Sequence, residues 1–194
     1  MGTGRLEAFS DGVLAVIITI MVLELHAPHG DDLSAILQFW PAFVSYVLSF
    51  IYVGIYWNNH HHLLHATTNV TGSMLWANLH LLFWLSLIPF TTAWMGENHF
   101  APLPSAAYGI VLMMSALSWY ILQTLILRSE GPDSLLRRAI GRDWKGRVSP
   151  VLYLAGIISS FCVTGLAQAL YLLVALIWLV PDPRIEKALS EREH

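Results

Sequence analysis

Charge is scarce in this chain. Of its 194 residues only 12% are charged, while 56% are hydrophobic; an ordinary soluble domain carries about 25% charged residues. That shortage argues against a soluble globular protein and for an integral membrane protein. Cysteine is nearly missing too. Cys162 stands alone, which excludes an internal disulfide and argues against redox chemistry. No Walker loop, dinucleotide-binding glycine motif or nucleophile elbow occurs, so the common signatures of nucleotide-dependent and hydrolytic enzymes are absent. The first apolar segment lacks a basic lead and a small-residue cleavage site, and it carries Asp11 near its start. It reads as a retained membrane helix rather than a secretory signal.

What the chain does have is long apolar runs. About 20 such residues cross the hydrocarbon of a bilayer. Four runs of that order cover about 9–25, 36–57, 74–94 and 106–127. A fifth, 148–180, is too long for one span and short for two. Basic residues decide its count, because loops rich in Lys and Arg stay cytoplasmic. Arg128, Arg137, Arg138, Arg142, Lys145 and Arg147 precede it, and Arg184, Lys187 and Arg192 follow. With both flanks inside, the run must cross twice. Arg5 places the N-terminus inside as well.

The expectation is an all-α membrane protein: one domain over 1–194, six transmembrane helices and both termini cytoplasmic. The helices are expected at about 5–26, 34–58, 72–95, 104–128, 148–162 and 165–180. Trp40, Trp57, Trp76, Trp94 and Trp178 fall near helix ends, as an aromatic belt does. The polar connector 129–146 is expected to hold a short amphipathic helix around Ser134 to Ile140.

An ionisable side chain inside a membrane helix is costly, so Asp11 needs a partner and suggests a role. On a helix, at about 100° per residue, Phe9, Gly12, Val16, Ile20 and Leu23 form one apolar stripe, with Thr19 on its flank. Asp11 falls on nearly the opposite side. The stripe fits either an ordinary helix-packing seam or the wall of a narrow hydrophobic path, which can gate ions by dewetting. Candidate partners for Asp11 are Arg5, Ser10, His60 to His62, Asn78 and His80. Glu24, Asp31 and Asp32 lie at the outer end, either as a cation-concentrating mouth or as a plain acidic rim.

His60, His61, His62 and His65 cluster at the end of the second span. His62 and His65 have a spacing that suits one metal, but one pair leaves coordination incomplete. A polar or interfacial role is favoured over a metal site. Histidine titrates near neutral pH, so the cluster also suggests a pH effect on activity.

Arg5-x-x-x-Phe9-Ser10-Asp11 at the head of a first membrane helix resembles the transmembrane protein 175 family. Its animal members are endosomal and lysosomal potassium channels. Tyr56-Trp57 followed by histidines, Asn78, and Pro89-Phe90-Thr91 are similar too, and the six-span layout is the family's unit. The resemblance implies a homotetramer around the first helix, as in bacterial members with one unit per chain. It makes Val16, Ile20 and Leu23 the constriction and Thr19 the polar layer of the filter. Family members place isoleucine or leucine at the narrowest ring. Val16 is smaller, so the ring is looser or Ile20 or Leu23 takes that role. Arg5, Phe9, Ser10, Asp11 and Asn78 carry over as a signature and structural polar network. No Thr-Val-Gly-Tyr-Gly filter is present.

The leading expectation is a homotetrameric channel in a bacterial cell membrane that prefers potassium over sodium. Permeant potassium ions are its only ligands, with no metal, cofactor or nucleic-acid partner and no enzymatic activity. The alternatives are an ion- or proton-coupled transporter using Asp11, and a single-box metalloenzyme.

Overall fold

A computed structural model describes residues 2–28, 30–131, 134, 136–137 and 143–179. All the regular elements it describes are helices: α1 (Thr3–Leu23), α2 (Leu33–His65), α3 (Gly72–Ser86), α4 (Ile88–Glu97), α5 (Pro102–Glu130), α6 (Trp144–Ser159) and α7 (Thr164–Leu179). Helices α3 and α4 form one segment broken at Leu87, which gives six helical segments. Four of these, α1, α2, α3–α4 and α5, are long and apolar enough to cross a membrane. Helices α6 and α7 have 16 residues each. That is about 24 Å of helix, short of a hydrocarbon core of about 30 Å.

The helix limits differ from the expected ones for local reasons. Helix α2 runs past the expected end at 58 to His65. The segment loses its apolar run at Trp57, but nothing there breaks a helix, and buried Leu63 and Leu64 hold the last turn. At 33 residues it is about 50 Å long, so part of it must project beyond the hydrocarbon. The Asp32 carboxylate caps its first turn, accepting from Ala35 N at 3.1 Å and Ser34 Oγ at 2.8 Å. These bonds, the Ser34 hydroxyl first, lower its pKa below the usual carboxylate value. One residue of the supposed acidic rim therefore has a structural task.

Pro89 sits in the first turn of α4. There its missing N–H costs nothing, whereas inside a continuous helix it would clash with the preceding turn. Helix α6 starts at Trp144 rather than 148 because Asp143 Oδ1 accepts from Gly146 N at 2.8 Å. The amphipathic helix expected around Ser134 to Ile140 falls largely outside the described residues.

Helix α1 packs on α2, α3 and α4, and α5 packs on α3, α4, α6 and α7. The deepest packing lies where α2, α5, α6 and α7 meet. Tyr52, Tyr108, Tyr153 and Tyr171 sit there at 2% exposure or less. Adjacent ring centroids lie 5.8–6.5 Å apart, within the range for favourable aromatic pairs. Their hydroxyls are also used: Tyr52 donates to the Tyr171 carbonyl at 2.6 Å, and Tyr171 donates to the Ser105 carbonyl at 3.1 Å. Tyr108 and Ser49 share a bond of 3.0 Å. Lipid tails are as apolar as leucine, so such close packing and hydrogen bonding is what holds membrane helices together.

Candidate functional site

The buried face of α1 is Leu6, Ser10, Leu14, Ile17 and Met21, a spacing of three and four that seats one stripe on the subunit. The helix-packing seam within the subunit is therefore this face, not the stripe singled out in the sequence. Phe9 (51% exposed), Val16 (54%), Ile20 (40%) and Leu23 (76%) all point away from the subunit, as do Gly12 and Thr19. Phe9, Gly12, Val16 and Ile20 form one wall of an open apolar groove of about 910 Å³, and Pro89, Phe90 and Trp94 help form the other. Glu24 and Glu97 close one end of it.

Thr19 has a definite orientation. Its hydroxyl donates to the carbonyls of Ala15 (3.1 Å) and Val16 (2.9 Å). With the proton spent on its own backbone, the exposed oxygen presents lone pairs outward. It can accept from water or face a cation, but it offers no proton of its own.

The signature residues separate into three environments. Ser10 and Asp11 are neighbours, so on a helix they face directions about 100° apart. Ser10 turns inward, fully buried. Asn78 Nδ2 donates to Ser10 Oγ at 2.9 Å, and Ser10 Oγ donates to the Leu6 carbonyl at 2.9 Å. Asn78 Oδ1 lies 2.7 Å from His60 Nε2. An amide oxygen can only accept, so His60 carries its proton on Nε2 and leaves Nδ1 as a buried bare acceptor. This fully buried Ser10–Asn78–His60 chain ties α1, α2 and α3 together.

Asp11 lies outside that chain, which corrects the expected single polar network. Its Oδ1 accepts from Trp57 Nε1 at 3.0 Å, a partner not among the seven expected. Arg5 and Phe9 share the outward face, and no described side chain bonds Arg5. His80, another expected partner of Asp11, instead accepts from Trp84 Nε1 at 3.0 Å and faces Ser118 Oγ at 3.1 Å.

A second rung lies one turn from Asp11. Glu7 Oε1 is 2.7 Å from His61 Nδ1. Glu7 and Asp11 are spaced i, i+4 on α1, and His61 and Trp57 are spaced i, i+4 on α2, so the two bonds form a ladder. His61 stacks between Trp57 and His65, with ring planes 27° and 19° apart. Glu7 was not among the expected site residues, and Trp57 was expected in the aromatic belt and the family pattern but not as a partner of Asp11; the paired i, i+4 spacing was the signal available. Among the described residues no group of three or more His, Cys, Asp or Glu side chains is arranged to hold a metal. At the far end of α1, Glu24 is exposed, and His26 pairs loosely with Glu97 at 3.8 Å.

Two outcomes follow for these bonds. Replacing Asn78 with leucine strands the His60 Nε2–H in the interior, while Ser10 keeps its bond to the Leu6 carbonyl, at about 1–3 kcal/mol for a buried unsatisfied group. The melting temperature of the purified protein should fall clearly; an unchanged value would show the chain to be dispensable. The Glu7–His61 rung is partly exposed. A double-mutant cycle with Glu7→Gln and His61→Gln should give a coupling of about 0.2–1 kcal/mol, and zero coupling would discount the rung.

Helix length, apolarity and a polar chain sealed inside the bundle define a multi-pass α-helical membrane protein. The sequence model of the family described as "Endosomal/lysosomal potassium channel TMEM175" matches residues 5–89. A potassium channel of Chryseobacterium sp. (strain P1-3) is 56% identical over 191 residues, covering 98% of this chain and all of that one. A potassium channel of Streptomyces collinus is 31% identical over 71% of this chain and 73% of its own length. The crystal structure of a lysosomal potassium-selective channel TMEM175 homolog from Chamaesiphon minutus superposes with a TM-score of 0.79 at 27% identity, covering 91% of this chain and 95% of that one. The chain belongs to the TMEM175 family of potassium channels.

Proposed function

We propose that this protein is a potassium-selective cation channel in the cell membrane. Four copies surround a common axis, and α1 of each lines the path. One observation carries the reading: the apolar stripe Val16, Ile20 and Leu23 is turned away from its own subunit, on a different face from the buried Leu6, Ser10, Leu14, Ile17 and Met21. An outward apolar stripe could simply face lipid, but the bonds of α1 argue for more. Its opposite side is anchored by Ser10, Asp11 and Glu7 to α2 and α3, which fixes the rotation of the helix and hence of the stripe.

Around an axis, rings of Ile20 and Leu23 make a constriction that ions cross only by shedding water. The Thr19 oxygens supply the polar layer. Arg5 and the basic connector keep both termini on the cytoplasmic side. Permeant potassium ions need no further cofactor. Asp11, bound to Trp57, serves to hold the helix rather than to carry ions. Glu7 bonds His61 across the α1–α2 seam, and the histidine cluster at this end of α2 suggests a pH effect on the flux. Alanine replacements across His60 to His65 that left the pH response of the flux unchanged would remove that link.

The test of the channel is cation flux into liposomes holding the purified protein, with potassium and sodium gradients compared side by side. A non-saturating flux that favours potassium is expected. Absence of passive flux from intact, tetramer-sized protein would count against the proposal and point to coupled transport.

A further inference from the structure

Helices α6 and α7 meet the membrane on different terms from the rest. With 16 residues each, they fall about 6 Å short of the hydrocarbon thickness. The side chains fix the end at which the shortfall appears. Trp144, Lys145 and Arg147 stand in the first turn of α6, and the Lys145 ammonium lies 5.9 Å from the centre of the Trp178 ring. Aromatic and basic side chains together hold a helix end at the membrane interface. The opposite end has no such anchor, since no charged residue occurs between Arg147 and Asp182.

That opposite end is the turn from α6 to α7. Gln168 Nε2 donates to Ser105 Oγ at 2.9 Å, which sets the start of α7 beside the start of α5. The turn therefore shares its side of the bundle with the α1–α2 and α4–α5 connections. Those carry Asp31, Asp32 and, at the end of α4, Glu97. The α6–α7 turn instead presents Phe161 (62% exposed), Cys162 and Val163 (58%). Its polar groups face inward along the chain. The hydroxyls of Ser159 and Ser160 both donate to the Gly156 carbonyl. The amides of Ser160, Phe161, Cys162 and Val163 all donate to carbonyls of α6. An exposed stripe leads up to this turn: Arg147, Val151, Leu154, Ile158 and Phe161, spaced by threes and fours. It starts with a charge and ends in carbon.

We infer that the bilayer is thinned around the α6–α7 hairpin, its outer leaflet drawn in by about 6 Å, so that acyl chains cover Phe161 and Val163 and headgroups reach the turn. The inference rests on the proposed arrangement of the chain across the membrane. The two other ways of placing a short hairpin are costlier. A turn lifted to the level of an undisturbed surface would pull Arg147 into hydrocarbon. A turn sunk in an undisturbed leaflet would leave non-helical backbone among lipid chains.

The lone cysteine is a ready reporter, because no other thiol has to be removed. A bimane adduct at Cys162, in phosphatidylcholine liposomes, is quenched in turn by iodide on both sides and by lipids with a nitroxide just below the headgroup or near the chain methyl. The shallow nitroxide should quench several-fold more than the deep one. Iodide should quench several-fold less than it does at Asp31→Cys, labelled in a Cys162→Ser background. Stronger quenching by the deep nitroxide would put the turn in an unthinned leaflet. Iodide quenching equal to that at position 31 would put it in water. Quenching by neither would put a second copy of the chain over it. Each of these three results would overturn the inference. None of the readings needs conduction, so a missing potassium flux beside the expected quenching would count against the channel and not against the thinned bilayer.

Discussion

Leu23→Ala and Ile20→Ala are expected to raise potassium flux and to weaken the preference for potassium over sodium. Each substitution removes branched apolar carbon from a side chain outside the buried core: Leu23 is 76% exposed and Ile20 40%. The fold therefore loses little, and the effect concentrates on whatever the stripe faces. In the proposed fourfold ring, each change acts four times at one level of the path. A barrier lowered by about 1.4 kcal/mol raises the rate about tenfold. A wider ring also lets ions pass with more of their water, and water-clad potassium and sodium are harder to tell apart. Thr19→Val separates the two effects. It keeps the branched shape but deletes the outward oxygen, so selectivity should change more than the width-dependent flux. Val151→Ala, at an exposed position on α6, is the control and should change neither. Wild-type flux and selectivity in both Ile20→Ala and Leu23→Ala would dismiss the stripe as the constriction.

The largest effect on folding is expected at two glycines that flank one ring. A Cβ on Gly109 of α5 would meet the Tyr171 hydroxyl, and a Cβ on Gly156 of α6 would meet the Tyr171 ring. Tyr171 cannot swing aside easily. It is fully buried, its hydroxyl bonds the Ser105 carbonyl, and its own carbonyl receives the Tyr52 hydroxyl. Overpacking of this kind costs about 1–3 kcal/mol, and here the backbones of α5 and α6 must separate from α7 to relieve it. Gly109→Ala and Gly156→Ala should each lower the melting temperature and the yield of monodisperse protein in size-exclusion chromatography. Tyr171→Phe should be milder, since it loses one neutral hydrogen bond worth about 1 kcal/mol. Pairing Gly156→Ala with Tyr171→Leu should recover part of the loss. Full stability in both glycine variants would mean that α7 is free to shift.

Both outcomes rest on contacts that a sequence shows unequally. The α1 stripe was legible because it is a matter of period: residues three and four apart share a helix face whatever surrounds them. The same rule placed Asp11 off the stripe. What the period could not show was which face of α1 meets its own subunit, since Leu6, Leu14, Ile17 and Met21 are as apolar as Val16, Ile20 and Leu23. The pairing of Asp11 was illegible for a similar reason. Seven polar residues were chemically able to bond it, and the choice of Trp57 depends on how α1 and α2 are rotated against each other.

Composition and charge order by themselves determined a membrane protein built from helical segments, because hydropathy and length are properties of a continuous stretch of chain. The motif at residues 5–11 and its surroundings pointed to the family. Tertiary structure alone decided that Ser10 and Asp11, adjacent in sequence, serve different partners. It also decided that α2 carries its histidines past the apolar run, and that Tyr171 closes on two glycines 47 residues apart along the chain (156 − 109). Periodicity is local and can be read residue by residue. Which faces meet depends on the fit of distant side chains in one packed interior, and that fit exists only once the chain has folded.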